Sequence, residues 1–165
     1  MELKTKVNAE QGRQDILITR EFDLPVELLF KAFEDPKIFE EWMGTNLHKL
    51  EFKPHGSFRF ETSDPTGNIV FSANGTIHEI VPKKKITRTF QMEKPTNKDG
   101  SPFETQLEFL EFNDLVENRS KLTKHVICRS VTHRDEIMKM PFIQGMNMAY
   151  DRLENMEDKL IKTQS

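Results

Sequence analysis

The sequence predicts an α+β domain: an antiparallel sheet curved around one long C-terminal helix, with two short helices after the first strand. Three observations lead there. Apolar and polar residues alternate in short runs over most of residues 16–131, with turn residues between the runs, as in an antiparallel meander. The stretches behind Pro25 and Pro36 instead carry apolar residues at helical spacing. Near the end, Ile143, Met146, Tyr150, Leu153, Met156 and Leu160 fall three or four apart and so share one helical face.

Taken in order, residues 1–14 are polar and predict a flexible lead-in, with the domain itself over residues 15–162. Residues 16–22 alternate and predict a strand, which Asp23-Leu24-Pro25 stops. Proline suits a first helical position because its missing N–H would be unpaired there anyway. Val26, Leu29, Phe30 and Phe33 follow on one face. Asp35-Pro36 offers a capping carboxylate and a second helix start, with Ile38, Phe39 and Trp42 as the apolar side and Gly44 as the stop. Strands are then predicted near 49–52, 58–61, 69–81, 86–93, 105–112 and 121–131, separated by turn chemistry such as Asp64-Pro65-Thr66-Gly67. One continuous helix from 143 to 161 follows, started or kinked by Pro141. A curved antiparallel sheet leaves a face to be filled, and the last helix is the element long enough to fill it.

Several function classes drop out on composition. At 165 residues the chain suits one domain, and its 24 basic against 27 acidic residues give a net charge of −3. The densest basic run, Lys83, Lys84 and Lys85, reads as a solvated hairpin turn and not as a nucleic-acid surface. No apolar run approaches the roughly 20 residues of a membrane span. The first residues lack the apolar core of a signal peptide, and the single cysteine, Cys128, forms no internal disulfide, so a cytoplasmic home is expected.

No nucleophile elbow, S-x-x-K or phosphate-binding glycine loop is present. The five histidines lack metal-ligand spacing, so no metal and no cofactor is expected. Cys128, in a predicted strand, reads as a small core residue. The eight methionines suit either core filling or an adaptable binding surface.

Arg88 is more informative. Ile86, Arg88, Phe90 and Met92 share one strand face, and that face is the apolar one, so Arg88 points inward. Ile77 and Glu79 share a face of the preceding strand. A hairpin turning at 82–85 sets Glu79 against Arg88 and Ile77 against Phe90. A buried arginine needs a partner. The pair serves either as a polar anchor for an acidic or hydroxylated ligand or as a structural salt bridge at a cavity edge. The second is favoured, since breaking such a pair is costly whatever the function. Lys124 shares the parity of Leu122, Val126 and Cys128, which turns it inward unless a bulge reverses the strand.

The segment Leu24-Pro25-Val26-Glu27-Leu28-Leu29-Phe30-Lys31-Ala32-Phe33-Glu34-Asp35-Pro36, leading to Trp42-Met43-Gly44, resembles the opening of the family named after the activator of the heat-shock protein 90 ATPase. This is the Aha-type branch of the START-like (SRPBCC) superfamily. Phe52-Lys53-Pro54-His55-Gly56-Ser57-Phe58-Arg59-Phe60 is similar to its next hairpin, with His55 where the family often has a first glycine. Gly75-Thr76-Ile77-His78-Glu79-Ile80-Val81-Pro82, with Ile86 beyond, resembles its most recognisable strand and turn. Gly145-Met146 and Tyr150-Asp151-Arg152-Leu153 are similar to its closing helix, with Met146 where tryptophan is common. The resemblance spans roughly residues 15–161 and implies a helix-grip fold with a cavity between sheet and long helix.

The leading expectation is a non-enzymatic binding protein holding a small hydrophobic molecule, such as a lipid or an aromatic compound. Such a site needs mostly apolar walls and a few polar groups. Trp42, Phe60, Phe71, Phe90 and Phe109 are candidate walls, with Met146 and Tyr150 from the last helix. Glu79 and Arg88 are the candidate polar groups. A chaperone-modulating interaction module is the first alternative and predicts a collapsed cavity. A cyclase-like enzyme is the second and requires an acid/base pair deep inside.

Overall fold

The computed structural model describes residues 3–164, with side chains as far as Ile161. One eight-stranded antiparallel sheet runs in the order β1-β2-β8-β7-β6-β5-β4-β3. Its strands are β1 (Lys6–Asn8), β2 (Asp15–Phe22), β3 (Asn46–Leu50), β4 (Ser57–Ser63), β5 (Ile69–Val81), β6 (Lys85–Lys94), β7 (Gln106–Asp114) and β8 (Ser120–Ile127). The helices are α1 (Val26–Glu34), α2 (Pro36–Met43), α3 (Val131–Met138), α4 (Phe142–Glu154) and α5 (Glu157–Gln164). The sheet is curved and open, and the architecture is the α+β helix grip.

The short helices form where the sequence places them. Asp35 keeps an extended backbone, and its carboxylate accepts from the N–H groups of Lys37 and Ile38. Gly44 ends α2 in the left-handed conformation, at φ 65°. Trp42 donates its indole N–H to the Ala32 carbonyl at 2.8 Å, which locks α2 onto α1. Both helices bury their apolar sides against the inner face of the sheet together with Tyr150 and Leu153 of α4.

Four segments depart from the expectation. The lead-in contains β1, which pairs with β2 through Lys6↔Thr19 and Asn8↔Leu17. It is tied down further where the Thr5 backbone N–H donates to Asn147 of α4 at 3.1 Å. The last strand stops at Ile127, and Ser130 caps α3 by accepting from the His133 N–H. A polar stretch with few apolar residues, α3 gives no amphipathic signal to read. The C-terminal helix is not continuous: Met156 N–H bonds the Leu153 carbonyl at 3.1 Å, a tighter turn that separates α4 from α5. This turn keeps Met156 and Leu160 buried while α5 packs on α1.

The buried apolar residues form two groups. The larger lies under α1, α2, α4 and α5. The smaller, made of Ile16, Ile18, Val126 and Cys128, is covered by Ile137 and Met138 of α3 and by Phe142 of α4. Met146 touches both. No helix among the described residues is long and apolar enough to cross a membrane.

Candidate functional site

Between these two apolar groups the inner face of the sheet is polar. Arg88 on β6 lies directly across from Glu108 on β7. Lys124 on β8 lies across from Leu110, one inward position further along β7, and so is diagonal to Glu108. Strand alternation therefore points all three inward. Arg88 donates from Nε to Glu108 Oε1 at 2.9 Å. Lys124 Nζ stands 3.8 Å from Glu108 Oε2, which also accepts from Gln106 at 2.8 Å. The Glu108 side chain is 1% exposed and those of Arg88 and Lys124 13% each, so water screens little of this charge.

The electrostatics follow from that burial. Desolvation alone would raise the Glu108 pKa, but Lys124, Arg88 and the Gln106 hydrogen bond outweigh it and hold the carboxyl below its ordinary value. Lys124 is pushed below its ordinary value by burial and by Arg88, against the pull of Glu108. Tyr150, on α4, is raised by burial, with Arg88 and Glu108 close enough to act on it in opposite directions. Nearby, burial pushes the Cys128 thiol up to about 11, which makes it a poor nucleophile.

Arg88 also lines the apolar slot inside the molecule. Its guanidinium carbon sits 5.3 Å from the Phe58 ring centre and 5.4 Å from that of Phe90, within cation–π range. The other walls are Phe33 and Phe39 from the short helices, Leu47, Leu50 and Phe52 at the rim, and Ile77 and Ile86. The free volume is about 20 Å³, room for about one water. Two larger hollows, of about 460 and 600 Å³, lie on the surface beside β1 and beside the turn of Lys83, Lys84 and Lys85.

The structure gathers most of the anticipated wall residues. Trp42, Phe60 and Tyr150 are fully enclosed in the main core, and Phe71, Phe90 and Met146 pack half-buried against it. Phe109 does not join them. It alternates with the buried Glu108 and Leu110, so it projects from the opposite face, across from Thr87 and His125. Glu79 is likewise on the outer face, where it meets Lys85 at 3.1 Å and accepts from Thr87. The cause is a bulge at His78: Ile77 faces Arg88, but Glu79 faces Thr87, so parity flips between them. The partner of Arg88 is therefore Glu108. The parity of Leu110 and Phe112 carried that signal, since it turns Glu108 inward.

Among the described residues, no group of three or more His, Cys, Asp or Glu side chains could hold a metal ion.

Solved structures share the fold at low identity. A Mycobacterium smegmatis protein superimposes with a TM-score of 0.78 at 16% identity, over 92% of this chain and 95% of that one. A Rhodobacter sphaeroides protein gives 0.76 at 19% identity, over 92% and 97%. An HSP90 activator from Plasmodium falciparum gives 0.53 at 24% identity, over 69% and 72%. No curated protein matches the sequence. The model of one family, described as Activator of Hsp90 ATPase homolog 1-like protein, matches residues 23–157, and the chain belongs to that family.

Proposed function

We propose that the chain is a non-enzymatic, cytoplasmic binding protein for a small and largely apolar molecule, held between the inner face of the sheet and helices α1, α2 and α4. The observation that carries this is the aromatic slot ending on Arg88, which combines apolar walls with one convergent polar cluster. Drug-sized pockets measure roughly 300–1,000 Å³. Entry therefore requires side chains to swing aside, and the rim residues Leu47, Leu50 and Phe52 are only half-buried. Native mass spectrometry of the freshly purified chain tests this, alongside thermal-shift screening with lipids and aromatic compounds. A co-purifying small molecule or a saturable stabiliser is expected. Bare protein mass together with no stabilising compound would remove the reading.

A second reading has an observation of its own. A nearly filled interior, with a void of about 20 Å³, suits a module that works through its surface. One fold neighbour is an HSP90 activator. If the chain modulates a chaperone in this way, adding it to a purified Hsp90 raises the ATPase rate. An unchanged rate at saturating chain sets that reading aside.

A further inference from the structure

The buried polar cluster is unbalanced in charge. Glu108 supplies one negative charge and Arg88 and Lys124 two positive ones, leaving one positive charge over. The other acids that reach the inner face do not correct this, because Asp151 and Glu154 engage Arg20, at 2.9 and 3.3 Å. A surplus charge in a poorly solvated interior is unfavourable unless something neutralises it.

Hydrogen-bond donors are in surplus at the same place. Arg88 uses only Nε, and both of its Nη groups donate to nothing among the described residues. Lys124 Nζ, at 3.8 Å from Glu108, is beyond hydrogen-bond reach. Neither group is sealed in protein: among the described residues the sole enclosed side-chain atom without a partner is His133 Nε2. The unused donors of Arg88 and Lys124 therefore border free space. For Arg88 that space is the aromatic slot, and the rings of Phe58 and Phe90 hold the guanidinium in place.

We propose that the site takes an organic anion, with an apolar aromatic or aliphatic body in the slot and one carboxylate on the Nη groups of Arg88, within the field of Lys124. This rests on the reading of the chain as a small-molecule binder. A single carboxylate matches the surplus in sign and magnitude. A planar carboxylate also fits the paired donors of a guanidinium, which a lone ammonium would not select. A phosphate dianion would overshoot the charge and meet Glu108 at close range.

Isothermal titration calorimetry with 2-naphthoate and octanoate, each against its uncharged amide, tests the inference. Each carboxylate is expected to bind at least about tenfold more tightly than its amide. In Lys124→Met the Arg88–Glu108 pair stays intact and the surplus charge is gone, so the preference should fall to about threefold or less. Lys124→Gln serves if the methionine variant does not fold. Equal binding of acid and amide to the unaltered chain overturns the anion inference and leaves the binder reading standing. A preference that survives at Lys124 unchanged in size also overturns it. Failure of all four probes, together with no co-purifying molecule, removes both readings.

Discussion

Glu79 stands across from Thr87 and not across from Arg88. One extra residue, His78, lies between Glu79 and Ile77, which is the residue that faces Arg88. It sends Glu79 to the outer face and brings Ile80 round to the inner one, opposite Ile86. The arginine then finds its carboxylate on the other neighbouring strand. In a double-mutant cycle by denaturant unfolding, Glu79→Gln and Arg88→Met should add to within about 0.5 kcal/mol. Arg88→Met with Glu108→Gln should instead show a coupling of about 0.5–3 kcal/mol. The reverse ranking would mean that Glu79, and not Glu108, is the partner of Arg88.

Removing Trp42 should be among the more damaging single truncations. The ring is 2% exposed, its N–H bonds Ala32, and it contacts Phe33, Phe39 and Tyr150. Trp42→Ala is expected to cost about 3–5 kcal/mol, read from the urea midpoint at constant slope. A loss under about 1 kcal/mol would contradict the enclosed position of the ring.

Acid should destabilise the protein in part through Glu108. Its folded pKa is depressed, so its contribution is fully present above the unfolded value of about 4.3 and is lost as pH falls from there through the folded value. Glu108→Gln strands two cations and should cost about 3–5 kcal/mol at pH 7. The same variant should lose less of its remaining stability than the unaltered chain between pH 5 and pH 2 (about three units, spanning the carboxylate range). Parallel acid-unfolding curves would contradict the charged state assigned to this carboxyl.

His55 occupies a left-handed backbone conformation, at φ 69°, with an exposed side chain. That conformation disfavours any residue with a Cβ. His55→Gly should therefore raise stability by about 0.5–1 kcal/mol, after allowing for the greater freedom of glycine in the unfolded chain. The next position behaves oppositely. A Cβ on Gly56 would lie 2.0 Å from the Glu51 carbonyl, so Gly56→Ala should destabilise. Thermal unfolding of the two variants should move in opposite directions.

The two short helices were legible because Asp35, Pro36 and Gly44 mark their ends by local chemistry. Strand β5 was legible over its whole length because Ile69 and Val81 sit beside turn residues on either side. What escaped was long-range. The bulge at His78 lies in the pairing of β5 with β6 and leaves no mark in composition. Strand β1 is three residues long and is held by pairing with β2, by the packing of Val7 and by the bond from the adjacent Thr5 to Asn147. Phe109 looked like a wall residue by type, but its alternation with Leu110 puts it outside. Glu108 was missed because a lone acid in a strand reads as an exposed one. Only the apolar parity of its neighbours and the need of Arg88 for a partner argue otherwise.

The chain contains one tryptophan and one tyrosine, and they are stacked on each other, with ring centres 5.9 Å apart and planes 27° from parallel. Trp42 belongs to α2 and Tyr150 to α4, and Arg152 of α4 also donates to the Trp42 carbonyl at 3.0 Å. Nearly all of the near-ultraviolet signal of the molecule therefore originates at a single joint. Its emission and its near-ultraviolet dichroism report, without any added label, whether the closing helix is seated or lifted from the sheet.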